Sequence, residues 1–209
     1  LFLILAGAAV IYAAEWNSNI LGFSHIDKVI AAFFHSITTR TAGFNTIPIN
    51  AFSPAVIFMM MALMFIGALP GSTGGGIKTT SFASLYALFR ARLTGRTDIP
   101  IFNRSLPLEL IRDAVIIVLL GMSLVFTGTL VLLITEKASF LYLLFEDISA
   151  FATVGLSCGV TPGLSDAGKI VIIITMFLGR VGPLTFLFAM SGRRRTNRIK
   201  NIEEKIMVG

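Results

Sequence analysis

The chain has 209 residues, 55% of them hydrophobic and only 13% charged, with a mean hydropathy of +0.85. That balance excludes a soluble globular domain and makes lipid the solvent. The net charge of +6 does not point to nucleic acid, because eleven of the 17 basic residues sit in two patches beside apolar runs. These are Arg90, Arg92, Arg96, Arg104 and Arg112, then Arg193, Arg194, Arg195, Arg198, Lys200 and Lys205, the pattern of cytoplasmic membrane flanks.

The first element, "LFLILAGAAVIYAA" from Leu1, lacks an initiator Met and a basic n-region. It reads as the cut end of a membrane helix, and the sequence as a fragment. A half-polar segment from Asp27 to Thr39 follows, too short to cross the bilayer, and reads as a re-entrant helix. It runs into "TTRTAGFNT", Thr38 to Thr46. Next comes an uncharged, Met-rich helix from Ala55, interrupted by "LPGSTGGGIKTT" (Leu69 to Thr80) and continuing to about Leu88. This glycine stretch is not a Walker A loop, since Ile77 separates Gly76 from Lys78 and the preceding element is not a strand. Irregular backbone at membrane depth belongs in protein or along an aqueous path.

Beyond the first basic patch, the stretch from Ala114 to Ile134 carries no charge and is long enough for one span. A second short helix is expected from Ser139 to Ala152, then a Thr-x-Gly turn at Thr153 and Gly155. The last apolar span runs from Ile170 to Met190, with Arg180 near its centre. A charge at that depth should face water or a partner. The one cysteine, Cys158, excludes an intrachain disulfide and reads as a packing residue.

Sliding the chain against itself aligns Ala32–Asn45 with Leu144–Ser157 and superposes Thr41 and Gly43 on Thr153 and Gly155. Each half has the same order of parts: apolar span, short helix, Thr-x-Gly turn, and a second span followed by arginines. Glycine can take the positive φ that turns neighbouring carbonyls to one side, and rings of such carbonyls replace the hydration shell of a potassium-sized cation. Two turns make half of such a ring. The remainder must come from upstream sequence or another chain.

Four stretches carry a family resemblance: "TTRTAGFNT", "PGSTGGGIKTT", "SAFATVGLSCGVTP" and "MFLGRVGPLTF". Together they are similar to the Trk/Ktr/HKT potassium transporters, in particular the Ktr-type membrane subunit. The resemblance implies an all-α membrane fold of helix, re-entrant pore loop, helix units around a pseudo-fourfold cation pore. This chain would be the third and fourth units, occupying residues 1–90 and 109–191. Residues 91–108 would be a cytoplasmic basic linker and 192–209 a cytoplasmic basic tail.

The same resemblance implies filter carbonyls at Thr41, Ala42, Gly43, Phe44 and Asn45 and at Thr153, Val154, Gly155, Leu156 and Ser157. Potassium would bind at those positions only, as substrate, with sodium a candidate activator and no covalently bound cofactor. Gly71, Ser72, Thr73, Gly74, Gly75, Gly76, Lys78 and Arg180 would form an intramembrane gate below the filter. The implied assembly is a homodimer of full-length subunits in the cell membrane, on a cytosolic nucleotide-binding regulatory ring.

Each assignment has a plainer rival. The glycine loop could be a packing kink, and Arg180 an ion-pair partner of Glu146 or Asp147. Arg40 would repel ions if it faced them, so it is expected to brace its loop from behind through carbonyls or a carboxylate. Lys78 lies near the loop or pairs with an acid. His25 and His35 lack metal-ligand spacing and read as structural, and Met59 to Met61 as packing. The alternative function is a secondary transporter with a midplane solute site. An enzyme is not expected, since no catalytic cluster of carboxylates or His/Asp is apparent.

Overall fold

The computed structural model describes residues 1–15, 24–67, 69–72, 74–95, 99–101 and 104–182. Seven α-helices carry the fold among the described residues: α1 Phe2–Ala14, α2 His25–Thr38, α3 Pro54–Phe65, α4 Thr79–Leu93, α5 Leu108–Thr135, α6 Phe140–Phe151 and α7 Asp166–Val181. A short hairpin, β1 Pro100–Ile101 with β2 Arg104–Ser105, lies in the linker and is the only sheet among the described residues. The all-α reading otherwise holds.

The helix starts follow their caps. The α2 helix begins at His25, earlier than hydropathy alone suggests, because Ser24 and Asp27 form a reciprocal capping box. The Asp27 amide donates to Ser24 Oγ at 3.3 Å, and the Ser24 amide and hydroxyl donate back to Asp27 Oδ2, which satisfies donors that the first turn leaves open. In α3, Pro54 occupies the first turn, where its missing N–H costs nothing. The α6 helix lies within its expected limits, with Ser139 and Ala152 as its caps. The α5 helix extends the uncharged span by a polar turn containing Glu109, Arg112 and Asp113. Its 28 residues make a rod of about 42 Å, longer than the ~30 Å hydrocarbon core.

The two halves repeat in three dimensions as well as in order. The short helix α2 packs on α1, while α6 packs on α5, α3 and α7. Between them lies a core of Val56, Ile57, Met60, Met61 and Met64 from α3 with Phe145, Phe151 and Cys158 from the second half. Met60 and Met61 are buried, in keeping with their packing role, and so is the free Cys158.

In each half a carboxylate at the end of the first helix holds the start of the helix that follows the turn. The Ser53 amide donates to Glu15 at 2.8 Å, and at the equivalent place in the second half the Ser165 amide and hydroxyl donate to Glu136. Each first helix also has a glycine where the short helix crosses it. A Cβ on Gly7 would lie 2.6 Å from Ser36 Oγ, and one on Gly128 would lie 2.7 Å from both Asp147 carboxylate oxygens. Gly7 and Gly128 are separated by the same interval as Glu15 and Glu136, so these parts belong to one structural repeat.

Glu136 is outside the membrane span, and the Ser165 hydroxyl, followed by the Ser165 amide among the lowering contacts, holds its carboxyl below the usual value of 4.5. A depressed folded pKa gives stability that is present above the unfolded value and is lost as pH falls through the folded one. Wild type is therefore expected to melt higher than Glu136→Gln at about pH 7, with the gap closing on acidification below about pH 4. The group is exposed, so the gap should be small. A gap that stays constant with pH would show that the charge of Glu136 does not matter.

Candidate cation pathway

The site begins where α2 and α6 stop. After α2 the chain turns at Thr41 (φ 68°) and Gly43 (φ 76°), and after α6 at Thr153 (φ 54°) and Gly155 (φ 90°). The glycines match expectation. The threonines do not follow from the sequence reading: a β-branched residue at positive φ is a backbone outlier, and such strain collects at functional sites. These are the two non-glycine residues with positive φ among the described residues, and they occupy equivalent positions in the two halves.

The turn amides fold back onto the helix ends. Ala42 and Gly43 donate to the Thr38 carbonyl at 3.1 and 3.4 Å, while Thr153 donates to Ala150 at 3.0 Å and Val154 to Ser149 at 2.9 Å. These bonds engage the turn amides, and of the turn carbonyls that of Phe44 accepts from Thr38 Oγ1 at 2.5 Å. The two turns touch: a Cβ on Gly43 would collide with the Val154 carbonyl oxygen, and one on Gly155 would lie 3.8 Å from Gly43 Cα.

Buried polar groups support both turns from behind. Glu146 accepts from Ser157 Oγ at 2.5 Å, the Cys158 amide at 3.1 Å and Thr161 Oγ1 at 2.9 Å. Asp147 Oδ2 accepts from Thr129 at 3.0 Å. At the position equivalent to Asp147, His35 is fully buried, 3.3 Å from Thr46 Oγ1 and edge-on to Phe52. His35 is structural, as its spacing suggests. The bracing role of Glu146 had no signal in the sequence beyond a carboxylate in an apolar helix.

The glycine loop is a true break rather than a kink. The α3 helix ends at Phe65, and the chain resumes as helix at Thr79. An isolated parallel bridge joins Ile66 to Ile77, with Gly67 N–H to Ile77 O at 2.8 Å and Ile77 N–H to Phe65 O at 3.3 Å. Side chains satisfy further groups that the break opens, as an apolar medium requires. Arg40 Nη1 donates to the Ile66 and Gly67 carbonyls at 2.9 and 3.2 Å, Lys78 Nζ donates to those of Gly74 and Ser72, and Thr153 Oγ1 accepts from the Gly75 amide at 2.7 Å. Arg40 does reach backbone carbonyls, but they belong to the broken helix and not to its own turn.

Gly74, Gly75, Gly76, Lys78 and Arg180 line one cavity of about 220 Å³ between α4, α5 and α7. Of the expected gate residues these five thus share one cavity, whereas Gly71 and Ser72 are exposed and do not line it. Ser72 lines a second cavity with Arg40 and Thr41, and Thr73 lies outside the described residues. Arg180 lies in the last turn of α7, which stops at Gly182 with φ 89°. Pro183 follows, and a residue before proline is disfavoured in helical conformation. The expected span to Met190 continues outside the described residues.

Paired short helices, each ending in a strained turn, and a broken helix held to both turns define a repeat-built helical membrane protein. A family model for the TrkH cation transport protein matches residues 6–195, and the chain belongs to that family. It is 45% identical over 210 residues to the Ktr system potassium uptake protein D of Bacillus subtilis, covering 99% of this chain and 46% of the relative. It is 36% identical over 214 residues to the potassium/sodium uptake protein NtpJ of Enterococcus hirae, covering 99% and 48%. The crystal structure of the potassium transporter TrkH from Vibrio parahaemolyticus has the same fold, with a TM-score of 0.75 at 21% identity, over 89% of this chain and 42% of that one. The chain spans about half the length of the curated relatives it matches.

Proposed function

We propose that this chain forms two of four units of a potassium uptake protein, with cations passing a carbonyl filter and then an intramembrane gate. The observation that carries the reading is the pair of Thr-x-Gly turns, both at positive φ, equivalent in the two halves and in contact. Thr41 to Asn45 and Thr153 to Ser157 are the filter segments, and the carbonyls of their turns are the ion ligands. The Phe44 carbonyl contributes least because Thr38 occupies it. Gly71 to Gly76, Lys78 and Arg180 are the gate. Residues 1–90 and 109–191 are the two units, with the basic segments 91–108 and 192–209 on the cytoplasmic side. A homodimer of full-length subunits on a nucleotide-binding regulatory ring completes the assembly, in keeping with the relatives named as Ktr system proteins.

The test is flux. Proteoliposomes holding the native-length subunit are expected to take up rubidium, a potassium surrogate, and to admit sodium more slowly. Liposomes holding only these 209 residues should show no selective uptake, because two turns do not close a ring. Failure of the native-length protein to move rubidium or potassium, with an organic solute moving in their place, would reject the filter in favour of a midplane solute site.

A further inference from the structure

The gate loop is attached to both filter turns. At its start, Arg40, immediately before the turn of the first half, donates to the carbonyls of Ile66 and Gly67. At its end, Thr153, the first residue of the turn of the second half, accepts from the Gly75 amide at 2.7 Å. The second contact is sterically specific, since a Cβ on Gly75 would lie 2.7 Å from Thr153 Cγ2 and 2.8 Å from its Oγ1. Gly76 follows the same surface, where an added Cβ would lie 3.3 Å from Ala152 Cα. The loop therefore rests on the base of the second turn through consecutive glycines.

We propose that Arg40 and Thr153 are positioning residues that tether the intramembrane loop to the two filter turns, so that ion occupancy of the filter and placement of the loop form one linked equilibrium. The proposal rests on the filter reading above. Thr153 has a strained backbone, and its hydroxyl holds the loop. A cation drawing the turn carbonyls inward fixes the φ and ψ of Thr153 and with them the direction of the Cα–Cβ bond that carries Oγ1. An empty filter removes that restraint, and the Gly75 amide loses a fixed acceptor. Linkage requires the converse: a displaced loop must weaken ion binding by the same factor that an absent ion loosens the loop. A hydrogen bond that merely filled a gap in the broken backbone would have no such dependence on the ion.

Hydrogen–deuterium exchange on the solubilised native-length subunit reads the tether directly, through the peptide covering residues 69–77. In wild type this peptide is expected to exchange about fivefold or more slower in potassium chloride than in N-methylglucamine chloride, the lower end of typical coupling between sites. Thr153→Ser keeps the hydroxyl and should keep the potassium effect. Thr153→Val removes it and should abolish the effect, with faster loop exchange in both salts and unchanged protection in α5.

Equal exchange of the wild-type loop in the two salts, in protein that transports rubidium, overturns the proposal, as does a potassium effect that survives in Thr153→Val. If Thr153→Val does not insert, the wild-type comparison alone decides. If wild type moves no potassium or rubidium, the filter reading fails on its own. The tether is then judged in ion-free buffer, where Thr153→Val must exchange faster at the loop than Thr153→Ser or the tether fails too.

Discussion

Removing Gly71 to Gly76 from the native-length subunit is expected to raise cation flux by about a hundredfold or more, while Arg180→Ala raises it less. Two like charges ~6 Å apart at an effective dielectric of about 20 repel by roughly 3 kcal/mol, which corresponds to about a hundredfold in rate. That is a ceiling for Arg180. Its side chain is exposed to the cavity it shares with the glycines, so water screens it and the gain from Arg180→Ala falls short. Loop removal takes away the obstruction itself, and with it the Gly74 and Ser72 carbonyls that hold the Lys78 ammonium in place. Arg180→Ala should leave the ratio of potassium to sodium uptake nearly intact, because Arg180 lines the cavity and not the turns at Gly43 and Gly155. Loop removal also takes the Gly75 amide from Thr153 and is expected to weaken ion binding at the turns as well. Rubidium uptake at matched membrane expression is the measurement. Unchanged or lower uptake after loop removal, in protein that is still folded and inserted, would mean that the loop is no gate.

Gly43→Ala is expected to abolish selective uptake, and Gly155→Ala to reduce it. Both positions have positive φ, which costs an L-residue roughly 1–2 kcal/mol. Their surroundings differ. The new methyl at 43 would strike the Val154 carbonyl, one of the groups proposed to face the ion, whereas the methyl at 155 meets Gly43 Cα at 3.8 Å, an ordinary contact. Gly43→Ala therefore adds displacement of a ligand to backbone strain, and Gly155→Ala brings strain alone. Competition of sodium with rubidium uptake, measured for each variant beside wild type, separates the two effects. Wild-type uptake and selectivity in both variants would refute the filter assignment.

How much of this could be read from the residues depends on the range of the interaction. Apolar runs, their interruption at Leu69 to Thr80 and the recurrence of Thr-x-Gly are local, so the helices, the break and the two turns were legible. Helix limits set by caps were less so: Ser24 with Asp27 moves the start of α2, and Gly182 with Pro183 stops α7 beside Arg180, a signal present in the sequence but overridden by hydropathy. Contacts across the fold left no pattern. Nothing in the periodicity tells that Arg40 serves the distant carbonyls of Ile66 and Gly67, or that Thr153 meets the amide of Gly75 in the other half. The Glu15 and Glu136 braces were hidden for another reason. The halves align at one interval in the turns and at a longer one in the first helices, so a single shift of the chain against itself misses them.

The glycines at positions 7 and 128 act as depth gauges. Each lets a short helix settle against its neighbouring span until Ser36 or Asp147 occupies the space a methyl group would fill. The seat of each short helix against its neighbour, and with it of the turn at its end, is thus set by an atom that is absent. An alanine at only one of these positions would shift one turn of the proposed filter and leave the others where they are. An ion held by several turns cannot average out such a shift, because its bonds shorten on one side as they lengthen on the other. Evenness is consequently a property of the worst-seated unit, and a methyl group far from any ion could alter selectivity without touching a single ligand.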